Sequence, residues 1–228
     1  TALWNTFYYV LVSVPIGVAG SLACAVLLNQ QIKGKAFLRT VFFIPSITPV
    51  VATALLWAWI LQPEFGLLNT ALQAIGIQGP RWLGNAQWSK PSMILMSLWG
   101  SIGGGRMIIF LAGLQGIPEN LYESAEIDGA SRGERFWHIT LPMLSPTLLL
   151  NLISSLICAF HLFTKAYILT GGGPGYSTYF YVLHLFRNAF QFFNMGYASA
   201  LAWIFLLIVL LITYVQLRLS QRWVYYAG

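Results

Sequence analysis

Apolar residues in this chain run on in long blocks rather than recurring with a helical or strand period. Five such blocks, at 3–28, 41–61, 93–114, 143–169 and 197–217, are separated by polar or turn-rich segments. A helix crosses the hydrocarbon of a bilayer with about 20 mostly apolar residues, so each block predicts a span. Between them, 30–39 holds Lys33, Lys35 and Arg39, and 62–90 holds Pro63, Pro80 and several glycines. Segment 115–142 is the most charged, and 170–196 opens with Gly171, Gly172, Gly173, Pro174 and Gly175. The expected fold is all-α: a polytopic transmembrane helix bundle forming one domain over 1–228, with five spans.

Composition sharpens this picture. Of the 228 residues, 57% are hydrophobic and 8% charged, against about 25% charged in an average soluble domain. That excludes an ordinary soluble domain and a disordered tail. The net charge of +6 comes from 12 Lys+Arg against 6 Asp+Glu, and in a membrane protein such an excess marks topology rather than a nucleic-acid footprint. Grouping 30–39, 115–142 and the tail collects Lys33, Lys35, Arg39, Arg132, Arg135, Arg218 and Arg222; the other side has Arg81, Lys90 and Arg187. The positive-inside rule places the richer group in the cytoplasm, together with the C-terminus. Thr1 is then outside without a basic signal region, and the expectation is a further span upstream. Arg106 and Lys165 fall within blocks; each either snorkels to an interface or lines a polar pathway. Cys24 and Cys158, both in apolar surroundings, read as small hydrophobes.

Five of the six acidic residues, Glu119, Glu123, Glu126, Asp128 and Glu134, lie in one segment. Acids contribute little to topology, so the cluster needs another reason. Residues 117–129 predict a helix: Pro118 suits a first turn, Glu119 complements the dipole, and Gly129 permits a left-handed stop. Leu121, Ala125 and Asp128 share a small, partly polar face by three-four spacing, with Ser124 and Gly129 beside it. A second amphipathic stretch carries Phe136, Trp137, Ile139 and Leu141 and ends at Pro142. Bare aromatics there need cover, which either the membrane surface or a docked cytosolic partner supplies.

The spacing of Glu123-Ser124-Ala125, three residues to Gly129, nine to Ile139, then Leu141-Pro142 resembles the EAA loop of binding-protein-dependent ABC importer permeases. Ser124 stands where alanine is usual. Asp128-Gly129-Ala130 resembles the same loop, and Asn5-Thr6-Phe7 and Phe43-Ile44-Pro45 resemble the openings of the permease core and its next span. Leu114-Gln115-Gly116-Ile117-Pro118 and Thr170-Gly171-Gly172-Gly173-Pro174 resemble the carbohydrate branch, with its maltose-type and glycerol-3-phosphate-type permeases. The resemblance covers essentially the whole chain.

It implies a type I importer permease fold, commonly of six spans, in a bacterial or archaeal cytoplasmic membrane. Loop 115–142 would carry a coupling helix seated in a cytosolic ATP-binding subunit dimer, which holds the ATP and magnesium; this chain would bind no cofactor. A second permease subunit, completing a heterodimer, and an extracytoplasmic solute-binding protein are the other implied partners. Glu123 would be the polar contact to the ATPase, Ala125 and Gly129 the close-packing contacts, with Ser124 and Asp128 in the same motif. Ile139, Leu141 and Pro142 would anchor the loop to the following span.

The remaining residues agree with that division of labour. No G-x-x-x-x-G-K-[ST] phosphate loop occurs, since Gly34-Lys35 is followed by Ala36; the chain is not expected to be an enzyme. Gly103, Gly104 and Gly105 inside a block predict close helix contact or a break. Gly171–Gly175 reads as a turn or, alternatively, a binding loop, and 176–194 as an aromatic belt or a surface for stacking sugar rings. His138, His161 and His184 are too scattered for a metal or catalytic group. His161 beside Phe160 and Phe163 suits a sugar's hydroxyls and ring face, or else is a buried histidine bonded to a neighbouring helix. Asn151 and Ser155 on the same block are the other candidates for the substrate pathway. The competing function, an ion-coupled secondary transporter of a small polar solute, needs intramembrane carboxylates, and none of the six acids lies in a block.

Overall fold

The computed structural model describes residues 1–30 and 32–225. Among these it is helical, with no strand. Three helices are long and apolar enough to cross a membrane: α1 (Ala2–Asn29), the run Ser145–Leu169 and the last helix, Met195–Ser220. Two further pairs qualify only when each is taken as one bent span. They are α2 (Lys35–Ile47) with α3 (Val50–Ile60), bent by 98°, and α5 (Ala86–Ser101) with α6 (Gly104–Gln115), bent by 48°. On that reading there are five spans.

The block 41–61 is thus not one straight helix. Its break falls at Thr48 and Pro49, where Pro49 is extended (φ −54°, ψ 136°) and caps α3. Proline has no N–H to continue the ladder and disfavours helical geometry in the residue before it. The carbonyl of Pro49 instead accepts from the Thr53 N–H at 2.9 Å and its hydroxyl at 3.2 Å. The α5–α6 break has a packing cause. A Cβ on Gly103 would collide with the Phe42 carbonyl and one on Gly104 with the Ser46 side chain, so this backbone fits against α2 only as glycine.

The chain divides into two compact units. The first comprises 1–14, 47–99 and 156–209. Its core is aromatic: Phe160 meets Phe7 and Phe205 edge-on at 5.6 and 6.1 Å, and Tyr181 stacks on Phe205 at 5.2 Å. Buried polar groups fix the start of α1 in it. Asn5 Nδ2 donates to the carbonyls of Tyr176 (2.8 Å) and Tyr179 (3.2 Å), and Thr6 Oγ1 accepts from the Tyr181 N–H (2.9 Å). The Thr-Gly-Gly-Gly-Pro segment is a pinned turn. Thr178 Oγ1 lies 2.6 Å from both Thr170 Oγ1 and the Gly173 carbonyl, and Gly172 at φ +93° has no room for a Cβ beside Tyr179. α4 (Leu67–Ala74) is held by Asn69, which donates to the Pro63 carbonyl at 2.9 Å and accepts from the Trp82 indole at 2.7 Å.

The second unit comprises 15–46, 100–155 and 210–228. Ser21 Oγ lies 2.7 Å from both the Gly17 and the Ser101 carbonyls, and Gly20 packs against Ile102. Gly113 lets α6 approach Leu144 and Thr147. This unit carries the charged loop.

Candidate functional site

The charged loop begins where buried Ile117 leaves the core and Pro118 turns extended (φ −60°, ψ 132°). Pro118 therefore caps the helix rather than occupying its first turn. α7 follows as Glu119–Ile127 and buries none of its residues. It ends in a Schellman motif: the Ala130 N–H donates to the Ala125 carbonyl at 2.9 Å, and the Gly129 N–H to the Glu126 carbonyl at 3.1 Å. Gly129 sits at φ +79°, and a Cβ there would meet no atom within 4 Å among the described residues beyond its chain neighbours. The glycine is thus required by backbone geometry, and the space around it is open to a partner.

Two faces of α7 differ in what they touch. Tyr122 and Ala125 are half-buried, and Tyr122 Oη lies 2.9 Å from the Thr140 hydroxyl. Glu119, Glu123, Ser124, Asp128 and Gly129 are exposed; Ser124 Oγ donates back to the Asn120 carbonyl at 2.8 Å. Ile127 is 87% exposed, an aliphatic tip among acids. Reading the sequence did not single it out, although its place four residues after Glu123 was the available signal.

The return segment is continuous helix of mixed type: α8 (Arg132–Arg135), a π-helical turn at Phe136–Thr140, and α9 (Leu141–Met143). Ser131 and Glu134 form a reciprocal capping box, with Ser131 N–H donating to Glu134 Oε2 at 2.7 Å and Glu134 N–H to Ser131 Oγ at 3.3 Å. The hydrogen bond from the Ser131 backbone, and then that from its hydroxyl, hold the Glu134 carboxyl below its ordinary range. Arg135 pairs with Glu126 at 3.2 Å, tying the return segment to α7. Trp137 is 65% exposed, while Ile139, Leu141 and Pro142 are half-buried where the π turn passes into α10 (Ser145–Phe160). Ser145 Oγ donates to the Pro142 carbonyl at 2.6 Å. Behind α7 lies a cavity of about 280 Å³.

The pathway candidates separate between the two units. Asn151 and Ser155, one turn apart on α10 in the second, are both buried. Asn151 donates to the Thr147 carbonyl at 3.1 Å, and the Ser155 hydroxyl has no hydrogen-bond partner among the described residues. In the first unit the helix pauses at residues 161–163 before α11 (Thr164–Leu169). Phe160 is core. His161 is exposed, its Nδ1 2.7 Å from its own helix's Ile157 carbonyl and its ring edge-on to Phe205 at 5.7 Å; it is not a buried histidine bonded to a neighbouring helix. Phe163 joins Tyr167 (5.5 Å) and Phe186 (4.7 Å) in an aromatic cluster. Lys165 donates to Ser97 Oγ at 3.3 Å.

Known proteins share this architecture. The chain is 45% identical over 225 residues to the probable ABC transporter permease protein YesP of Bacillus subtilis, covering 97% of this chain and 72% of that one. It is 36% identical over 219 residues to the trehalose/maltose transport system permease protein MalF of Thermococcus litoralis, covering 95% and 72%. Among solved structures, a chain of a bacterial ABC transporter involved in import of the acidic polysaccharide alginate superimposes with a TM-score of 0.88 at 25% identity, covering 97% of this chain and 78% of that one. Residues 7–225 match the family described as binding-protein-dependent transport system inner membrane component. With its apolar spans, its broken helices and its acidic loop helix, the chain belongs to that family of multi-pass ABC importer permeases.

Proposed function

We propose that this chain moves a carbohydrate across the cytoplasmic membrane as the permease subunit of an importer, and that α7 is the helix through which a separate ATPase drives it. The observation that carries the coupling role is the unburied α7, with exposed Ile127 flanked in sequence by Glu126 and Asp128, one turn after Glu123, and with Tyr122 braced against Thr140. An aliphatic tip on an acidic helix closed by the left-handed Gly129 suits insertion into a cleft of another protein, where a buried anchor carries much of the binding energy. Glu123, Ser124, Asp128 and Gly129 supply the polar and open rim, and Ala125 the close packing. Ile139, Leu141 and Pro142 transmit displacement into α10.

The carbohydrate assignment is supported by relatives whose names specify trehalose/maltose and alginate transport. Asn151, Ser155, His161 and Phe163 are the pathway residues: two buried polar groups, one of them an unsatisfied hydroxyl, and an exposed imidazole beside aromatic rings. Phe160 supports them from the core. The cytosolic ATPase dimer, binding ATP and magnesium, sits on the side of loop 115–142 and of the C-terminus. A second permease subunit and an extracytoplasmic solute-binding protein complete the assembly.

The test is reconstitution of the whole transporter in vesicles. Ile127→Asp is expected to weaken ATPase docking by about 2 kcal/mol, roughly thirty-fold, and to abolish substrate-stimulated ATP hydrolysis and sugar uptake. Unchanged uptake with unchanged assembly would contradict the coupling role.

A further inference from the structure

The cavity is lined from α7 by Tyr122, and the exposed Ile127 tip is not among its lining residues. Its polar wall is formed by Asn29 and Gln30 at the end of α1, Tyr122 from α7, and Arg132 and Arg135 from α8. Among the described residues, no acidic side chain lines it. Val26 and Phe136 give it an apolar side. Two arginines and two carboxamide residues therefore border an open pocket of about 280 Å³, with Asn29, Gln30 and Arg132 exposed at its rim and apolar side chains adjoining them.

We propose that this cavity binds a phosphate group and that the bound phosphate competes with Glu126 for Arg135. Guanidinium forks match the oxygens of a phosphate in paired, charge-assisted hydrogen bonds, and amide N–H groups can serve its remaining oxygens. The apolar wall accommodates the carbon skeleton that carries the phosphate. Two sources share this chemistry: the headgroup of an anionic phospholipid in the adjoining leaflet, and a soluble phosphate ester. The site also has a link to the loop. Arg135 holds Glu126 of α7 at 3.2 Å, so an anion that takes over Arg135 frees the acidic helix from its brace. Placing the cavity at the cytoplasmic surface rests on the coupling role proposed above; the binding itself does not.

The test uses the assembled transporter. Native mass spectrometry counts retained phosphatidylglycerol, and calorimetry follows inorganic phosphate in detergent. Retention of the lipid alone identifies a headgroup site, and binding of inorganic phosphate identifies a site for soluble esters; either supports the proposal. Arg132→Gln is expected to weaken binding at least about tenfold, the scale of one charge-assisted hydrogen bond. The double variant Lys33→Gln/Lys35→Gln, which removes more charge from the same side of the chain, should leave it intact, and Glu126→Gln should tighten it. Binding unaffected by Arg132→Gln, or lost equally in the Lys33/Lys35 variant, would overturn the site. A transporter in which Ile127→Asp changes nothing while Arg132→Gln weakens phosphate binding as expected would sink the coupling reading and leave this one standing.

Discussion

Gly129 shows how much one residue contributes to the loop. Its φ of +79° lies in the left-handed region, and a Cβ there would meet nothing within 4 Å among the described residues beyond its chain neighbours. Substitution therefore acts through backbone strain, about 1–2 kcal/mol for an ordinary L-residue and less for asparagine, until a partner is docked. Gly129→Asn should keep most coupled ATP hydrolysis, Gly129→Ala lose part and Gly129→Val lose nearly all. Equal activity in all three, measured with vesicles of matched protein content, would show that the left-handed stop is dispensable. This position was legible in the sequence because a glycine closing an acidic helix has one common use. The conformation of His161 was not legible: its composition suited a buried, cross-linked side chain, whereas it turns back on its own helix where α10 pauses.

At the scale of the element, hydropathy located the spans but not their shapes. Blocks 41–61 and 93–114 are apolar on both sides of their breaks, so a sliding average passes over Thr48–Pro49 and residues 102–103. The local signals were present, a proline in one and a glycine run in the other. Only the contacts of Gly103 and Gly104 with Phe42 and Ser46 explain why the second break is held. Discontinuous spans of this kind line substrate paths in other transporters.

The capping box of α8 makes a sharper element-scale prediction. Glu134 titrates below the ordinary carboxylate range because the Ser131 N–H and hydroxyl bond its charged form. A carboxyl whose folded pKa is depressed stabilises the fold above its unfolded pKa, and that contribution is lost as pH falls through the lowered folded value. The cap should therefore stay intact at neutral pH and fail only in acid. Ser131→Ala should cost the cap about 1 kcal/mol and return the Glu134 pKa towards its ordinary value, as read by carbon-13 NMR of labelled glutamate. A Glu134 titration identical in both proteins would remove the cap from the account.

For the whole molecule, the distribution of charge is the main constraint. With no acid in any apolar span and five in one loop, the chain has little on which to build ion coupling, and the loop is the acidic surface proposed above to receive work. The second unit places α7 with its polar side bare and its reverse side braced by Tyr122 and Arg135, an arrangement fit for transmitting force. The most direct measurement is site-directed cross-linking of the assembled transporter carrying Ile127→Cys, made with single cysteines placed in the ATPase cleft. The account predicts a cross-link from position 127 to the ATPase, formed from the cytosolic side and altered by ATP. A position 127 that reacts only with reagents added to the outside, or that forms no adduct with the ATPase in an active transporter, would contradict it.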